Sequence, residues 1–344
     1  MPITRMQGSY MADPAGTCGA GQSSAPADHY DWSAGVWPVC EMPPEAGPNP
    51  SLDERRESIC DRPAGQDAFV LEQSGFAPFM SKVQQMPFEE RLECISRRFL
   101  GIRYENDPLG EGEAATIDSG PLYSFGYIDC MTYVEEVVAL ARSSGAEEFL
   151  ENLGCVRYRD CVPTYAMRNH HVEDWARENS ARGFVKDITL LVGGSLAERA
   201  TVKIDFGKWI DGKADLLSLQ KEEIKGERAA RGLLDPTPVD LDFIPMSALF
   251  AFDGESASFN REVVSLLPVF SVMLLIGKEE DEVRYGTRVR HMGVVLRNEA
   301  GSSDELVLRH CTPNDGCIDR PLLSYLLSLR GSRAGVAFLE VLGG

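Results

Sequence analysis

The chain has 344 residues, enough for two domains or for one domain with a tail, and its ordinary apolar content can fill a sizeable core. A net charge of −19 argues against nucleic acid or an anionic membrane surface as the main partner, and we read it as solubility. Nine cysteines at irregular spacing, with no Cys-x-x-Cys, do not read as a disulfide framework or a zinc ribbon.

Residues 1–76 are rich in Gly, Pro, Ser, Ala and acid, as over Pro43–Pro50, and show no period. They are expected to form a disordered leader, with the ordered domain over 77–344. Cys18, Cys40 and Cys60 are unusual in such a leader. The N-terminus lacks the apolar run of a signal peptide, so a cytoplasmic protein is expected. A misassigned start would move it to the periplasm or cell envelope. No stretch is long and apolar enough to span a bilayer.

Ordered structure is expected from near Phe79. Pro87 suits a first helical position, Phe88, Leu92, Ile95 and Phe99 mark one helical face, and Gly101 ends that helix. A turn-rich loop over 101–110 leads on to Phe125–Ala141. There Gly126 lets the backbone turn, Asp129 is a good N-cap, and Cys130 falls in the first helical turn. Tyr133, Val134, Val137 and Ala141 recur at helical spacing, so one face is expected to be buried. The pattern then gives a helix over 146–153, a strand over 156–159, and a helix over 165–179 with Arg168, Val172, Trp175 and Asn179 in one stripe. Strands over 187–192 and 200–206 follow, and 210–240 reads as a charged helix and then a loop. Strands over 268–276, 288–296 and 305–310, a helix over 321–329 and a strand over 335–342 close the chain. A helical front and a β-rich back indicate an α+β fold with an antiparallel sheet.

A cysteine at a helix start sits at the positive end of the macrodipole, which favours the thiolate that attacks carbonyl carbon. The plainer alternative is a packing residue, because free cysteine is among the most buried types. A nucleophile also needs a base, and the base needs a partner to hold its ring. Of His29, His170, His171, His291 and His310, the first lies in the leader. His291 and His310 lie on alternating runs joined by the polar link 297–304, which reads as a hairpin loop. A hairpin symmetric about the Ala300–Gly301 bond sets Val295 opposite Leu306, Gly293 opposite Leu308 and His291 opposite His310. Opposite residues share a face with Cβ atoms roughly 5 Å apart, so the rings would touch. His291 would then be the general base toward Cys130, His310 would orient it, and Gly293 would leave room beside it. The alternatives are two hydrogen-bonded histidines on a half-buried sheet, or a zinc site made from His291, His310 and either His170 or Cys311.

Asp129-Cys130 at a helix start, His291-Met292-Gly293-Val294-Val295 on a strand and His310-Cys311-Thr312 on the next resemble the NlpC-type papain-like cysteine peptidases of bacterial cell walls. Those carry Asp-Cys-(Ser/Thr)-x-(Phe/Tyr)-Val, His-Val-Gly-Ile and His-Ala-Ser in this order. More narrowly, the chain is similar to the N-acetylmuramoyl-L-alanine amidase-like family, domain of unknown function 1460, over most of 85–342. Phe99–Tyr104, Asp129–Glu135, Val156–Arg159, Tyr165–Trp175, Val185–Thr189 and Phe243–Pro245 follow the family's order. The stretch Tyr165–Trp175 stands for Tyr-x-x-Arg-x-His-Tyr-Phe-x-Asp-Trp. There are departures: no proline precedes Tyr104, His-Cys-Thr replaces His-Ala-Ser, and Pro268–Ser271 stands where Gly-Asp usually opens a strand.

The resemblance implies a papain-like α+β fold, with the nucleophile helix packed on an antiparallel sheet and a large insertion between nucleophile and base. It implies the triad Cys130, His291 and His310, and hydrolysis of the amide joining N-acetylmuramic acid to L-alanine in muropeptides or peptidoglycan fragments, without metal or cofactor. On the substrate side it implies Tyr104, bordering the nucleophile with its hydroxyl toward oxyanion or substrate, and Asp129, read as structural. The long segment between Cys130 and His291 should build a wall of the cleft. Arg168 and His170 are its candidate substrate contacts, since a guanidinium can grip a muropeptide carboxylate in a fork; the alternatives are a salt bridge for Arg168, and helix surface or a satisfied buried ring for His170 and His171. The same triad would also serve another cell-wall amide or an acyl transfer, and a scaffold without turnover would be a muropeptide-binding module.

Overall fold

The computed structural model describes residues 60–61, 67–69, 75–254, 256–297 and 306–343. Most of the expected leader lies outside them, including Cys18, His29 and Cys40, and so does most of the hairpin link, 298–305. The described residues of the leader are built into the fold. Cys60 is disulfide-bonded to Cys94. The Ala68 N–H donates to the Phe125 carbonyl at 2.8 Å, and the Phe69 ring packs on Phe76, Phe79, Phe99 and Phe125. Packing therefore begins before Phe79, because this aromatic cluster closes only with Phe69 in it.

Helices α1 (Phe76–Val83) and α2 (Phe88–Arg97) come first. Pro87 is the cap of α2 rather than its first residue, and Gly101, at φ +76°, ends the turn that follows. A parallel pair, β1 (Arg103–Tyr104) and β2 (Tyr127–Ile128), sets Tyr104 opposite Ile128 and so beside the start of α3 (Cys130–Ala141). The next expectations need correction. Val156 and Arg157 finish α4 (Ala146–Arg157) instead of starting a strand. A short turn, Arg159–Cys161, follows; Asp160 and Cys161 hold positive φ of 52° and 55°, and a Cys155–Cys161 disulfide closes it. Four of the seven cysteines among the described residues are thus paired, against the expectation from their spacing. The helix expected over 165–179 is split into a single turn at Tyr165–Met167, extended backbone at Arg168 and His171, and α5 (Val172–Ala181). The strand expected over 187–192 is β3 (Val185–Asp187) followed by α6 (Thr189–Gly193).

The chain continues through β4 (Glu198–Ile204), α7 (Phe206–Asp211), α8 (Ser218–Ala230) and β5 (Thr237–Pro245). The expected loop before 240 thus enters β5, which pairs along the whole of β4. A small hairpin, β6 (Phe250–Asp253) with β7 (Ser256–Phe259), and α9 (Arg261–Val264) precede β8 (Phe270–Ile276), α10 (Glu279–Tyr285) and β9 (Val289–Arg297). Then come β10 (Leu306–Thr312), β11 (Gly316–Pro321), α11 (Leu322–Leu329) and β12 (Gly335–Val341).

The main sheet runs β11-β10-β9-β8-β12-β5-β4, with β3 added on β12, and its pairings are antiparallel. Because strand side chains alternate, each face meets its own layer. Val272, Leu274, Met292 and Val294 join the core that holds α2, α3 and the Phe69 cluster. Met273, Leu275, Val295 and Leu308 join the core of α6, α9 and α11. This is a mixed α+β fold with an antiparallel sheet, and all described residues belong to one compact unit.

Candidate active site

Local sequence makes the mouth of α3. The Asp129 carboxylate accepts from the N–H groups of Met131 (3.0 Å) and Thr132 (2.8 Å), and the Thr132 hydroxyl accepts from the Asp129 N–H at 2.9 Å. This reciprocal cap contributes about 1 kcal/mol to helix stability and makes Asp129 the N-cap expected of it, while Asp129 also lines the cavity. Cys130 opens the helix and is 8% exposed. Burial, then the neighbouring Asp129, pushes its thiol up to about 12. The Met292 backbone N–H approaches the sulfur and opposes the rise.

The two histidines meet, in a different register from the symmetric hairpin. Leu308 faces Val295 and Leu306 faces Arg297, a shift of two residues. An even shift keeps every side chain on its expected face. It places His310 across from Gly293, with His291 diagonal to it, and the nitrogens His291 Nε2 and His310 Nδ1 lie 2.7 Å apart. A Cβ on Gly293 would stand 2.8 Å from His310 Cβ, so only glycine admits this approach. His310 is fully buried, and its ring stands edge-on to Tyr325 of α11 at 5.0 Å. Burial lowers His291 to about 4; burial, then His291, lowers His310 well below the usual histidine range.

By alternation, His291 and Gly293 belong to the α11 side of the sheet, whereas Met292 faces α3. A bulge resolves the conflict. The pairing slips between Leu275 and Ile276 of β8, so Arg290 is an extra residue in β9. Bulges bend a strand and re-aim its side chains. Here the neighbours Arg290 and His291 both line a cavity of about 230 Å³ that Cys130 also lines. Among the described residues no hydrogen bond joins the sulfur directly to the ring.

The segment between Cys130 and His291 supplies most of the wall, as the sequence indicated: Arg168, Asn169 and His170, then Lys208, Trp209 and Lys213, then Arg284 and Arg290. Arg168 lines the cavity but is already engaged. It donates to the Leu109 carbonyl at 2.7 Å and pairs with Asp107 (3.7 Å) and Glu111 (3.9 Å), so the free fork expected of it is largely taken. Lys213 pairs with the same Asp107 at 2.8 Å, and these two cations hold Asp107 below the usual carboxylate range. His170 lines the cavity between the rings of Tyr165 (4.5 Å) and Trp209 (4.6 Å), with Nε2 2.8 Å from the Tyr165 carbonyl. Burial, then Arg168, keeps it neutral. His171 is buried behind it, edge-on to Trp209, and belongs to the packing. Tyr104 stands beside Cys130 rather than in the cavity wall; burial and then the Cys130 charge raise its hydroxyl pKa. Its hydroxyl lies 3.4 Å from Asn106 Oδ1.

Sequence reasoning missed three residues here. Glu173 accepts from the Arg288 N–H (2.7 Å), the Val289 N–H (2.9 Å) and the Thr287 hydroxyl (2.8 Å), fixing the backbone that enters the bulge. Asp107 organises two cations, and Asn169 is buried in the wall. Asn169 and Glu173 occupy the unspecified positions of the Tyr165–Trp175 pattern, so the motif carried no signal for either. A zinc site on His291 and His310 needs a third donor, and among the described residues no three His, Cys, Asp or Glu side chains converge to hold a metal.

The class is a mixed α+β protein whose cavity is lined by a thiol at a helix mouth and by an imidazole bonded to a second one. The model of the AmiA-like, N-acetylmuramoyl-L-alanine amidase-like family matches residues 94–332, and the chain belongs to that family. A solved Legionella pneumophila protein of the family-model domain of unknown function 1460 is 27% identical, with a TM-score of 0.66 over 77% of this chain and 93% of that one. An N-acetylmuramoyl-L-alanine amidase from Bacteroides uniformis shares the fold at 19% identity and TM-score 0.54, over 72% of this chain and 96% of that one. A Bacteroides fragilis structure described as a xylanase does so at 19% and 0.55, over 72% and 98%. Comparison with curated proteins finds no match.

Proposed function

We propose that this protein is a cysteine amidohydrolase of papain-like, NlpC-type architecture that cleaves the amide between N-acetylmuramic acid and L-alanine in peptidoglycan fragments. The observation that carries the reading is one cavity lined both by the thiol at the mouth of α3 and by an imidazole already bonded to a second imidazole. Family membership supports the substrate class. So do Lys208, Arg284 and Arg290 of the lining, cations that suit the carboxylates of a muropeptide.

The resting pair is a neutral thiol and a neutral imidazole. The helix end does not win: its typical 0.3–1 kcal/mol of help to an anion is about what half a pKa unit costs, and burial beside Asp129 outweighs it. Activation is therefore general-base catalysis rather than a preformed thiolate. With His291 Nε2 joined to His310, Nδ1 is the nitrogen left for the sulfur. By elimination His291 donates from Nε2 to His310 Nδ1. In unliganded sites such catalytic contacts are often long and tighten around substrate.

As sulfur bonds to the lactyl carbonyl carbon, its proton passes to His291. The oxyanion is received by the Cys130 N–H, which the Asp129 cap leaves unused, with Tyr104 beside it. His291 then protonates the nitrogen of L-alanine, the C–N bond breaks, and a thioester remains. Water attacks it, gives a proton to His291, and the muramoyl carboxylate departs as the thiol reforms. The Cys130→Ala variant is expected to lose all turnover on a defined muropeptide panel while keeping its melting temperature within about 2 °C, the scale of a ~0.5 kcal/mol change. A variant that still releases peptide would remove Cys130 from the mechanism.

The two disulfides favour an oxidising compartment, hence the cell envelope, as the working location. Recovery of the active protein only with the cytosolic fraction would contradict that.

A further inference from the structure

The stretch Arg168–His170 carries a side chain that the mechanism does not use. Asn169 is 1% exposed and forms part of the cavity wall between two cavity-lining neighbours. Its backbone is anchored, the N–H donating to the Arg157 carbonyl at 3.0 Å. Its side chain is not: neither Nδ2 nor Oδ1 has a hydrogen-bond partner among the described residues. A buried, unsatisfied polar group is costly, and folded proteins rarely keep one without a use. Its neighbours differ in this respect, since Arg168 and His170 are both bonded.

A carboxamide offers one donor and one acceptor, side by side. Along an extended peptide, the N–H and C=O of a single residue point to the same side, also one donor and one acceptor. We propose that Asn169 is a specificity-determining residue that reads the main chain of one residue in the stem peptide, through paired hydrogen bonds from Nδ2 and to Oδ1. The contact is sequence-independent, because it touches no stem side chain. It explains why an amide sits at a buried place where leucine would pack at lower cost. The inference rests on the amidase reading, and it adds that the cavity measures whether a peptide stem is present beyond the first alanine.

The test compares wild type, Asn169→Leu and Asn169→Asp on two substrates: N-acetylmuramoyl-L-alanine, and the same compound with a longer stem. Turnover and thermal unfolding are both measured. Asn169→Leu is expected to unfold at the wild-type temperature or above it, since an unsatisfied group is removed. It is expected to lose about tenfold to a hundredfold in kcat/KM on the long stem, the worth of two ordinary hydrogen bonds, and to change little on the short substrate. Asn169→Asp, which keeps an acceptor and loses the donor, is expected to show the same substrate dependence. An equal loss on both substrates, a lowered unfolding temperature for Asn169→Leu, or full activity of both variants overturns the inference and leaves the amidase reading standing. A wild-type protein inert toward both substrates overturns the amidase reading and this inference with it.

Discussion

Gly293 shows how much a single missing atom can decide. Replacing it with alanine would set a Cβ 2.8 Å from His310 Cβ and 2.9 Å from the Arg309 carbonyl, neither of which is a flexible chain end. Gly293→Ala is therefore expected to cost about 1–3 kcal/mol, as overpacking does. It should also lower kcat by pushing the two rings apart. Thermal unfolding and turnover check both, and an active, undisturbed variant would show that the ring pair tolerates displacement. The shared face of Gly293, His291 and His310 could be read from the sequence because alternation in a strand is a local rule. The ionisation of Cys130 could not. It is decided by burial and Asp129, and no pattern of residues states how deeply a helix start is covered. Arg168 was legible as a cavity residue or a salt-bridged one, but its partners were not, since Asp107, Glu111 and the Leu109 carbonyl reach it from a loop with no period.

At the level of elements, the strongly periodic ones were legible: α2, α3, α11 and strands β8 to β10 lie where apolar spacing puts them. The failures share a cause. Val156–Arg159 and Tyr165–Asn179 flank the disulfide-closed turn at Cys161, where two non-glycine residues take positive φ and tertiary contacts override propensity. The hairpin register slipped by two because it was centred on a guessed bond of the link, while the strand pattern fixes only which face each residue takes. The Cys60–Cys94 tether belongs to the same scale. It closes a 34-residue separation and ties the Phe69 region to α2. Loop-closure entropy values such a bond at about 3–4 kcal/mol. The Cys94→Ser variant is expected to lose stability of that order in urea titration while keeping turnover, because Cys94 does not line the cavity. A loss under about 1 kcal/mol would mean that the segment is held by packing alone.

Across the whole molecule, buried ionisable groups set opposite pH limits. His171 and His291 are lowered to about 4 by burial, so their contribution to stability is complete above about 6.5 and is lost as pH falls toward 4. Glu111 and Glu136 are raised, also by burial, to about 7 and about 8. Their contribution is complete below the unfolded value of 4.5 and is lost as pH rises through those folded values. As pH rises, the lowered histidines can only add stability, so a decline between pH 6.5 and 8 belongs to the carboxyls. Glu136→Gln, which mimics the protonated acid and keeps an acceptor for the Ser124 N–H, is expected to flatten that decline. Identical pH slopes for the variant and wild type would contradict it. The insertion's role as cavity wall was legible from the length between Cys130 and His291; which of its residues face inward was not, because the α5, α7 and α10 segments converge only in three dimensions. The most direct measurement is peptide-mapped mass spectrometry of protein quenched in acid during turnover of a muropeptide. The account predicts an N-acetylmuramoyl thioester on Cys130, with free peptide beginning at L-alanine in solution. A peptide acyl group on Cys130, or an adduct on any other residue, would contradict it.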